Sequence, residues 1–287
     1  MKLIKNVIVL LLIISTLFSF VSCKKNKNEP ESNTCTVTVK NPLGAPLAGV
    51  TVYLHLDNGT DYNICTAPVV TDSNGQVKLT LSGDQSYSVG LSGYPTAYTA
   101  KSGYTRAERY ALDSDNVNIT LGVNENAKPM VYSIGDYISD FTITDIDGVE
   151  YNLYDLLEKK RAVVLNFWFC GCGPCRSEFP ALNAAYNTYK GSIELLAIND
   201  YIAHNEGVSN IQSYRDTNNL DMPMFKTQYG SLASIACFRN DGYPTTVVID
   251  RYGRVSTVHS GAITSEEAWN ALFEYYIADD YNGLPYN

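Results

Sequence analysis

Asn166-Phe167-Trp168-Phe169-Cys170-Gly171-Cys172-Gly173-Pro174-Cys175-Arg176-Ser177-Glu178-Phe179-Pro180 is the stretch on which the reading of this chain turns. The apolar, β-rich run Ala162–Trp168 feeds a tight Gly/Pro turn carrying Cys172-Gly-Pro-Cys175, and a segment with helical spacing follows. A strand–CxxC–helix junction places the first thiol at a helix N-terminus. There the unpaired backbone N–H groups and the helix dipole favour a thiolate over a thiol. The second thiol, three residues on, lies one turn away on the same face and within disulfide reach. One sulfur can attack and the other resolve the mixed disulfide, which is the apparatus of thiol–disulfide exchange.

A bare CxxC is also half of a zinc site. Two further ligands would be needed, and the histidines, His55, His204 and His259, all lie far from the motif in sequence. Cys170 adds a third nearby sulfur, which keeps a soft-metal site open as an alternative to the redox reading.

The motif and its surroundings resemble the thioredoxin superfamily, and within it the TlpA/ResA-like extracytoplasmic thiol–disulfide oxidoreductases. Ile134-Gly135-Asp136, then Asp140-Phe141-Thr142-Ile143 and Asp147-Gly148, resemble the family's opening pattern. Gly242-Tyr243-Pro244-Thr245-Thr246-Val247-Val248-Ile249-Asp250, followed by Gly253, resembles its cis-proline strand. The likeness covers about half the chain. Gly171 stands where the family usually has Trp, and Ser139 where it usually has Pro. The resemblance implies a cis Tyr243–Pro244 bond facing the CxxC, with Tyr243 offering backbone to a bound peptide. It also implies a role for Glu178 beside the active site. Gly173 and Pro174 match thioredoxin-like reductants.

The chain has 287 residues, enough for two domains, and its hydrophobic content of 45% supports a packed core in each. The formal net charge of −9 argues against nucleic acid as a partner. Residues 1–22 read as a secretory signal: Lys2 and Lys5 form a charged start and an apolar run follows. Phe20-Val21-Ser22-Cys23 resembles a lipobox, with Cys23 as the lipidated residue and Phe20 in place of the usual Leu. An uncleaved membrane anchor is the rival reading. Both put the rest of the chain outside the cytoplasm, tethered to a membrane, on the periplasmic side in the lipoprotein reading.

The fold expected is two domains, an all-β sandwich followed by an α/β thioredoxin-like fold with a central mixed sheet flanked by helices. The boundaries are a signal peptide at 1–22, a lipidated tether at 23–33, the sandwich at 34–123, a linker at 124–132 and the redox domain at 133–287. In the sandwich, Cys35, Val37 and Val39 alternate with Thr36, Thr38 and Lys40; Val50, Val52, Leu54 and Leu56 alternate with polar residues; Val77, Leu79 and Leu81, then Val117, Ile119 and Leu121, repeat the pattern. Turn signals separate these runs, so they read as half-buried antiparallel strands. The pattern resembles carboxypeptidase-regulatory-like or Cna-B-like domains, which implies a stalk or adaptor. His55 reads as a surface residue. In the second domain, strands are expected at 141–144, 149–152, 162–168, 193–198, 245–250 and 254–259. Helices are expected at 153–159, after Cys175 with a kink at Pro180, at 208–217, at 231–238 and from Ser265.

Cys172, exposed at the helix start, is the expected nucleophile, its pKa lowered from about 8.5 towards 7, and Cys175 is the resolving thiol. Glu178, on the same helical face as Cys175, either manages that thiol's proton or is a solvated charge. In an oxidising compartment Cys35 and Cys65 form one candidate disulfide, and Cys170 and Cys237 another. No cofactor beyond the redox-active disulfide and no metal is expected. The partners expected are exported proteins bearing thiols or disulfides, an upstream membrane electron donor, and the membrane itself through the lipid. Apocytochrome c is one candidate substrate. The alternatives are a peroxiredoxin-like peroxidase, for which Phe169-Cys170-Gly171-Cys172 lacks the required threonine, a metal carrier, and a surface adaptor.

Overall fold

The computed structural model of the chain describes residues 32–57, 67–83, 85–101, 109–127, 131–199, 206–227, 233–238 and 242–286. The signal segment, Cys23, most of the tether, Cys65 and His204 lie outside the described residues. Among those described, no helix is long and apolar enough to cross a membrane.

The first domain is built from β1 (Ser32–Lys40), β2 (Thr51–Leu56), β3 (Val69–Val70), β4 (Gln76–Ser82), β5 (Tyr87–Ser92), β6 (Tyr98–Thr99), β7 (Tyr110–Ala111), β8 (Asn116–Thr120) and β9 (Gly122–Val123). One sheet has the order β4-β1-β8, a second the order β3-β2-β5-β7, and β6 pairs with β9. Period-two patterning sends Val37, Val39, Val77 and Leu79 of the first sheet and Val52, Leu54, Val89 and Leu91 of the second into one shared core. The all-antiparallel expectation fails at one pair, since β1 and β8 run parallel. The connection between them passes through the other sheet, so β8 can return along β1 in its own direction. The turn before β4 needs glycine: Gly75 has φ +69°, and a Cβ there would sit 2.6 Å from the Val39 carbonyl oxygen.

The second domain opens with the hairpin β10 (Thr142–Thr144) and β11 (Glu150–Asn152), then α1 (Leu153–Lys159), β12 (Ala162–Trp168), α2 (Gly173–Tyr189), β13 (Ile193–Asn199), α3 (Val208–Thr217) and β14 (Met224–Lys226). It closes with β15 (Thr245–Asp250), β16 (Val255–Ser260) and α4 (Glu266–Ile277). The five-stranded sheet has the order β14-β13-β12-β15-β16, with β12, β13 and β14 parallel and β15 and β16 antiparallel to their neighbours. It is the mixed sheet the sequence implied. β12 and β13 are buried at every position, as continuous apolar runs between two helical layers must be. Ser265 caps α4 by accepting from the Ala268 N–H, as read from the sequence. The helix expected at 231–238 shows among its described residues only a 3-10 turn, Ile235–Phe238. β14, three residues long, carries too short a pattern to be seen in sequence.

The two domains share a core. Asn41, fully buried at the end of β1, donates from Nδ2 to the Tyr252 carbonyl oxygen at 2.7 Å and to the Tyr98 hydroxyl at 3.1 Å. Its Oδ1 accepts from the Ala45 N–H at 2.8 Å. Tyr98 packs on Tyr137 with ring centroids 5.6 Å apart, and Leu43 of the sandwich closes on Gly253 of the β15–β16 turn. Between the domains, Asn124 is tied to Ala97 and Thr96, and Tyr132 is buried with its N–H donated to the Cys237 carbonyl. Asn41→Ala leaves buried partners on both domains unsatisfied. We expect a loss of about 2 kcal/mol of unfolding free energy in a denaturant titration. An unchanged midpoint would remove this amide from the account of domain docking.

Candidate active site

The last residues of β12 deliver the chain to the turn that starts α2. Gly173 and Pro174 form the first helical turn, where the missing proline N–H costs nothing. Cys172 is the N-cap, and its Sγ accepts the Cys175 N–H at 3.1 Å. Sulfur thus occupies the place a Ser or Asp oxygen would take, at the positive end of a 17-residue helix. Cys172 and Cys175 are joined as a disulfide, with Cα atoms 5.3 Å apart. α2 runs on through Pro180 to Tyr189.

Cys172 is not the exposed residue the sequence suggested. It is 4% exposed, and Cys175 is fully buried. Both sit in the core layer containing Trp168 and Phe179, and Phe169 and Tyr243 pack against that layer. The rings of Phe169 and Tyr243 meet edge to face at 5.3 Å. Packed into this layer, the sulfur is not open as a helix start alone would leave it. Beside it a cleft of about 350 Å³ is lined by Gly173, Arg176, Ser177, Tyr214 and Asn218. Tyr243–Pro244 is cis, as the resemblance implied. The Pro244 carbonyl accepts from the Gly261 N–H, which ties it to the end of β16.

Glu178 is fully buried, so the solvated reading falls away. Its Oε1 accepts from the Asn166 amide at 2.7 Å and its Oε2 from the Ile263 N–H at 2.9 Å. Burial pushes its carboxyl up to about 7, against the pull of those two hydrogen bonds. Asn166 reaches on to Thr246 of β15 at 3.2 Å, so the acid is held by β12, by β15 through Asn166, and by the loop before α4.

Cys170 is half-buried on the other side of the turn. Its N–H donates to Glu206 Oε2 at 2.8 Å, and the Asn199 amide at the end of β13 donates to the same oxygen at 2.6 Å. Burial, then the Glu206 carboxylate, push the Cys170 thiol up to about 12. Burial works against the charge on Glu206. Hydrogen bonds from the Cys170 N–H, the Asn199 amide, the Cys170 thiol and the Gly171 N–H overcome it and hold this carboxyl below its usual range.

Of the two structural disulfides expected from the sequence, Cys170–Cys237 is not formed. Cys170 and Cys237 are both thiols. They belong to layers on opposite sides of the sheet: Cys237 lies with Phe167 and Phe238, while Cys170 packs on the layer of Trp168. Cys35 is also a thiol, buried in the sandwich core with Sγ 3.3 Å from the Ser114 carbonyl, and its expected partner Cys65 lies outside the described residues. His55 is half-buried instead of surface-exposed, and burial followed by the nearby Arg109 lowers its pKa. His259 is exposed. Among the described residues no group of three or more His, Cys, Asp or Glu side chains is placed to hold a metal ion.

Sequence reasoning missed Asn166, Asn199 and Glu206. Asn166 left a trace, as a lone polar residue inside Ala-Val-Val-Leu-Asn-Phe-Trp, where a buried amide must find partners. Glu206 left none, because it sits in a connection whose path no periodicity specifies.

A family model described as the AhpC/TSA family matches residues 134–258, and one described as a bacterial Ig-like domain (group 1) matches residues 24–105. The chain is 30% identical over 155 residues to the thiol-disulfide oxidoreductase ResA of Bacillus cereus, covering 54% of this chain and 85% of that protein. It is 29% identical over 133 residues to the thioredoxin-like protein YneN of Bacillus subtilis, covering 46% of this chain and 75% of that one. It is also similar to the crystal structure of a thiol:disulfide interchange protein from Chlorobium tepidum, with 25% identity, coverage of 53% and 99%, and a TM-score of 0.41.

Proposed function

The chain belongs to the ResA-like thiol–disulfide oxidoreductases, and from that membership we propose that Cys172 attacks and Cys175 resolves, in a reductant that works on the disulfides of exported proteins. The observation that supports these roles is the cap geometry, in which the Cys172 sulfur receives the Cys175 N–H at the start of α2. Negative charge on that sulfur is favoured by a donor already in place.

In the reduced protein the Cys172 thiolate attacks a substrate disulfide, forms a mixed disulfide and expels one substrate thiolate. Cys175 loses its proton and attacks the Cys172 sulfur. The intramolecular bridge closes and the second substrate thiolate leaves. Two electrons pass to the substrate, and the two protons of the dithiol end on its two thiols. Glu178, one helical turn beyond Cys175 and half-ionised near neutral pH, is suited to take the Cys175 proton. The cis Pro244 and Tyr243 offer backbone to the substrate segment. An upstream dithiol donor returns the pair to its reduced form. Residues 1–22 and Cys23 support a lipid-tethered, extracytoplasmic placement, with the sandwich as a spacer and cytochrome c maturation as one possible setting.

Substrate trapping tests this reading. The Cys175→Ser chain, expressed in its host, should hold mixed disulfides that resolve on reduction and are lost in Cys172→Ser/Cys175→Ser. Adducts that persist in the double variant would assign the attack to another cysteine.

A further inference from the structure

The segment before the redox pair presents a chemical problem. Cys170, Cys172 and Cys175 lie within six residues, and any third thiolate there competes for the same bond. Attack by a Cys170 thiolate on the Cys172 sulfur would form a Cys170–Cys172 bridge and expel Cys175 as a thiolate. No electrons are gained or lost, but the working pair is scrambled. In a mixed disulfide the same attack would release the substrate thiolate and leave the same wrong bridge.

We propose that Glu206 is a positioning residue of the exchange site, fixing the Cys170–Gly171 segment and keeping the Cys170 sulfur from entering the exchange at Cys172. The inference rests on the reading of Cys172 and Cys175 as the reacting pair. One carboxylate oxygen serves both ends of the device. Glu206 Oε2 accepts the Cys170 N–H at 2.8 Å, which fixes the backbone two residues before Cys172. It accepts the Asn199 amide at 2.6 Å, which anchors it to the end of a fully buried central strand. The Asn199 amide also points at the Cys170 sulfur, 4.0 Å away. The Cys170 thiol and the Gly171 N–H face the same carboxylate.

Burial and the Glu206 carboxylate favour the neutral thiol at Cys170. Glu206 is an anion, and a second anion on the adjacent sulfur is opposed by it. Tyr214 of α3 faces the sulfur as a neutral phenol. Arg176 of α2 is hydrogen-bonded to Tyr214. The contrast with Cys172 is a contrast of termini: one sulfur faces helix N–H donors, the other a carboxylate.

The test is alkylation of Cys170 by iodoacetamide between pH 7 and 10, followed at that residue by peptide mass spectrometry. The full chain carries Cys172→Ser/Cys175→Ser, so no redox pair is present. Glu206→Gln should raise the rate at pH 8 by about tenfold, the equivalent of one unit in the thiol's pH midpoint. Glu206→Asp, which keeps the charge, should stay within about threefold of the parent on the same scale. An unchanged rate in Glu206→Gln overturns the proposal. So does an equal rise in Glu206→Asp, which would mark general loosening of the loop. In the redox-intact chain, air oxidation of Glu206→Gln should yield bridges that include Cys170, and Cys172–Cys175 as the sole bridge within 170–175 would also overturn it. Failure of the alkylation arm counts against Glu206 alone, whereas failure of substrate trapping counts against the exchange function.

Discussion

Cys172→Ser reduces protein-disulfide reductase turnover to the background of the small-molecule thiol in the assay. The expected loss is roughly 10⁴-fold or more, the scale seen when a covalent nucleophile is removed. A serine hydroxyl is scarcely ionised at neutral pH and does not displace a thiolate from sulfur. The N–H groups at the start of α2 that would hold a thiolate then cap a neutral oxygen instead. Since serine is a good N-cap, the helix should remain formed and the loss should be one of chemistry. Insulin or peptide-disulfide reduction, with thermal melts of both chains, checks this. Retention of more than a tenth of the turnover would remove Cys172 from the attacking role. Cys175→Ser should stop turnover as well, but by arresting it at the mixed disulfide.

Glu178→Gln removes a pH dependence of stability centred between the ordinary carboxylate range and neutrality. Glu178 has its folded pKa raised to about 7, chiefly by burial, above the ordinary carboxylate value of 4.5. The folded state therefore holds a proton that the unfolded state has lost. Its favourable contribution is fully present below pH 4.5 and is lost as pH rises through about 7. The full swing is on the order of 3 kcal/mol. Glutamine has one acceptor oxygen for two facing donors, the Asn166 amide and the Ile263 N–H, so the variant gives up about 1 kcal/mol at acid pH. The parent should be the more stable at pH 4, the two should be near equal at pH 5, and the variant should exceed the parent at pH 8. Urea titrations at pH 4, 5, 6, 7 and 8 measure the slope; parallel slopes in the two chains would mean the buried acid does not titrate there. In the exchange reaction the same variant should prolong the mixed disulfide near neutral pH, because the acceptor for the Cys175 proton is gone.

The parts of this protein legible in sequence are those governed by short-range rules. β12 was visible as a seven-residue run, apolar but for Asn166, and α1 as Leu153–Lys159, and both came out with the expected bounds. The CxxC turn was legible because Gly, Pro and the cysteine spacing are a local geometry. Tyr243–Pro244 was reached through resemblance, and its bond is cis. Reading failed where partners come from distant segments. Cys170 and Cys237 looked like leftovers that should pair, yet the alternation of side chains on β12 sends Phe167 and Trp168 to opposite layers, and the two cysteines follow them. The exposure of Cys172 was misjudged because the layer that buries it draws on residues as distant as Trp269, and Tyr243, 71 positions away, packs against that layer.

What the sequence determined by itself was the identity of the reacting atoms, because a helix start and a three-residue spacing suffice to bring two sulfurs together and to favour charge on the first. What only the tertiary structure decided was the state of the groups around them. Glu178 has a raised pKa because the elements packed around it bury it, against hydrogen bonds from Asn166 and Ile263 of other segments that pull it down. The Cys170 thiol has a raised pKa first through its burial and then through Glu206, 36 residues on, whose carboxylate meets it. Whether a carboxylate or a thiol carries charge depends on what surrounds it in space, and chain order alone does not specify that environment.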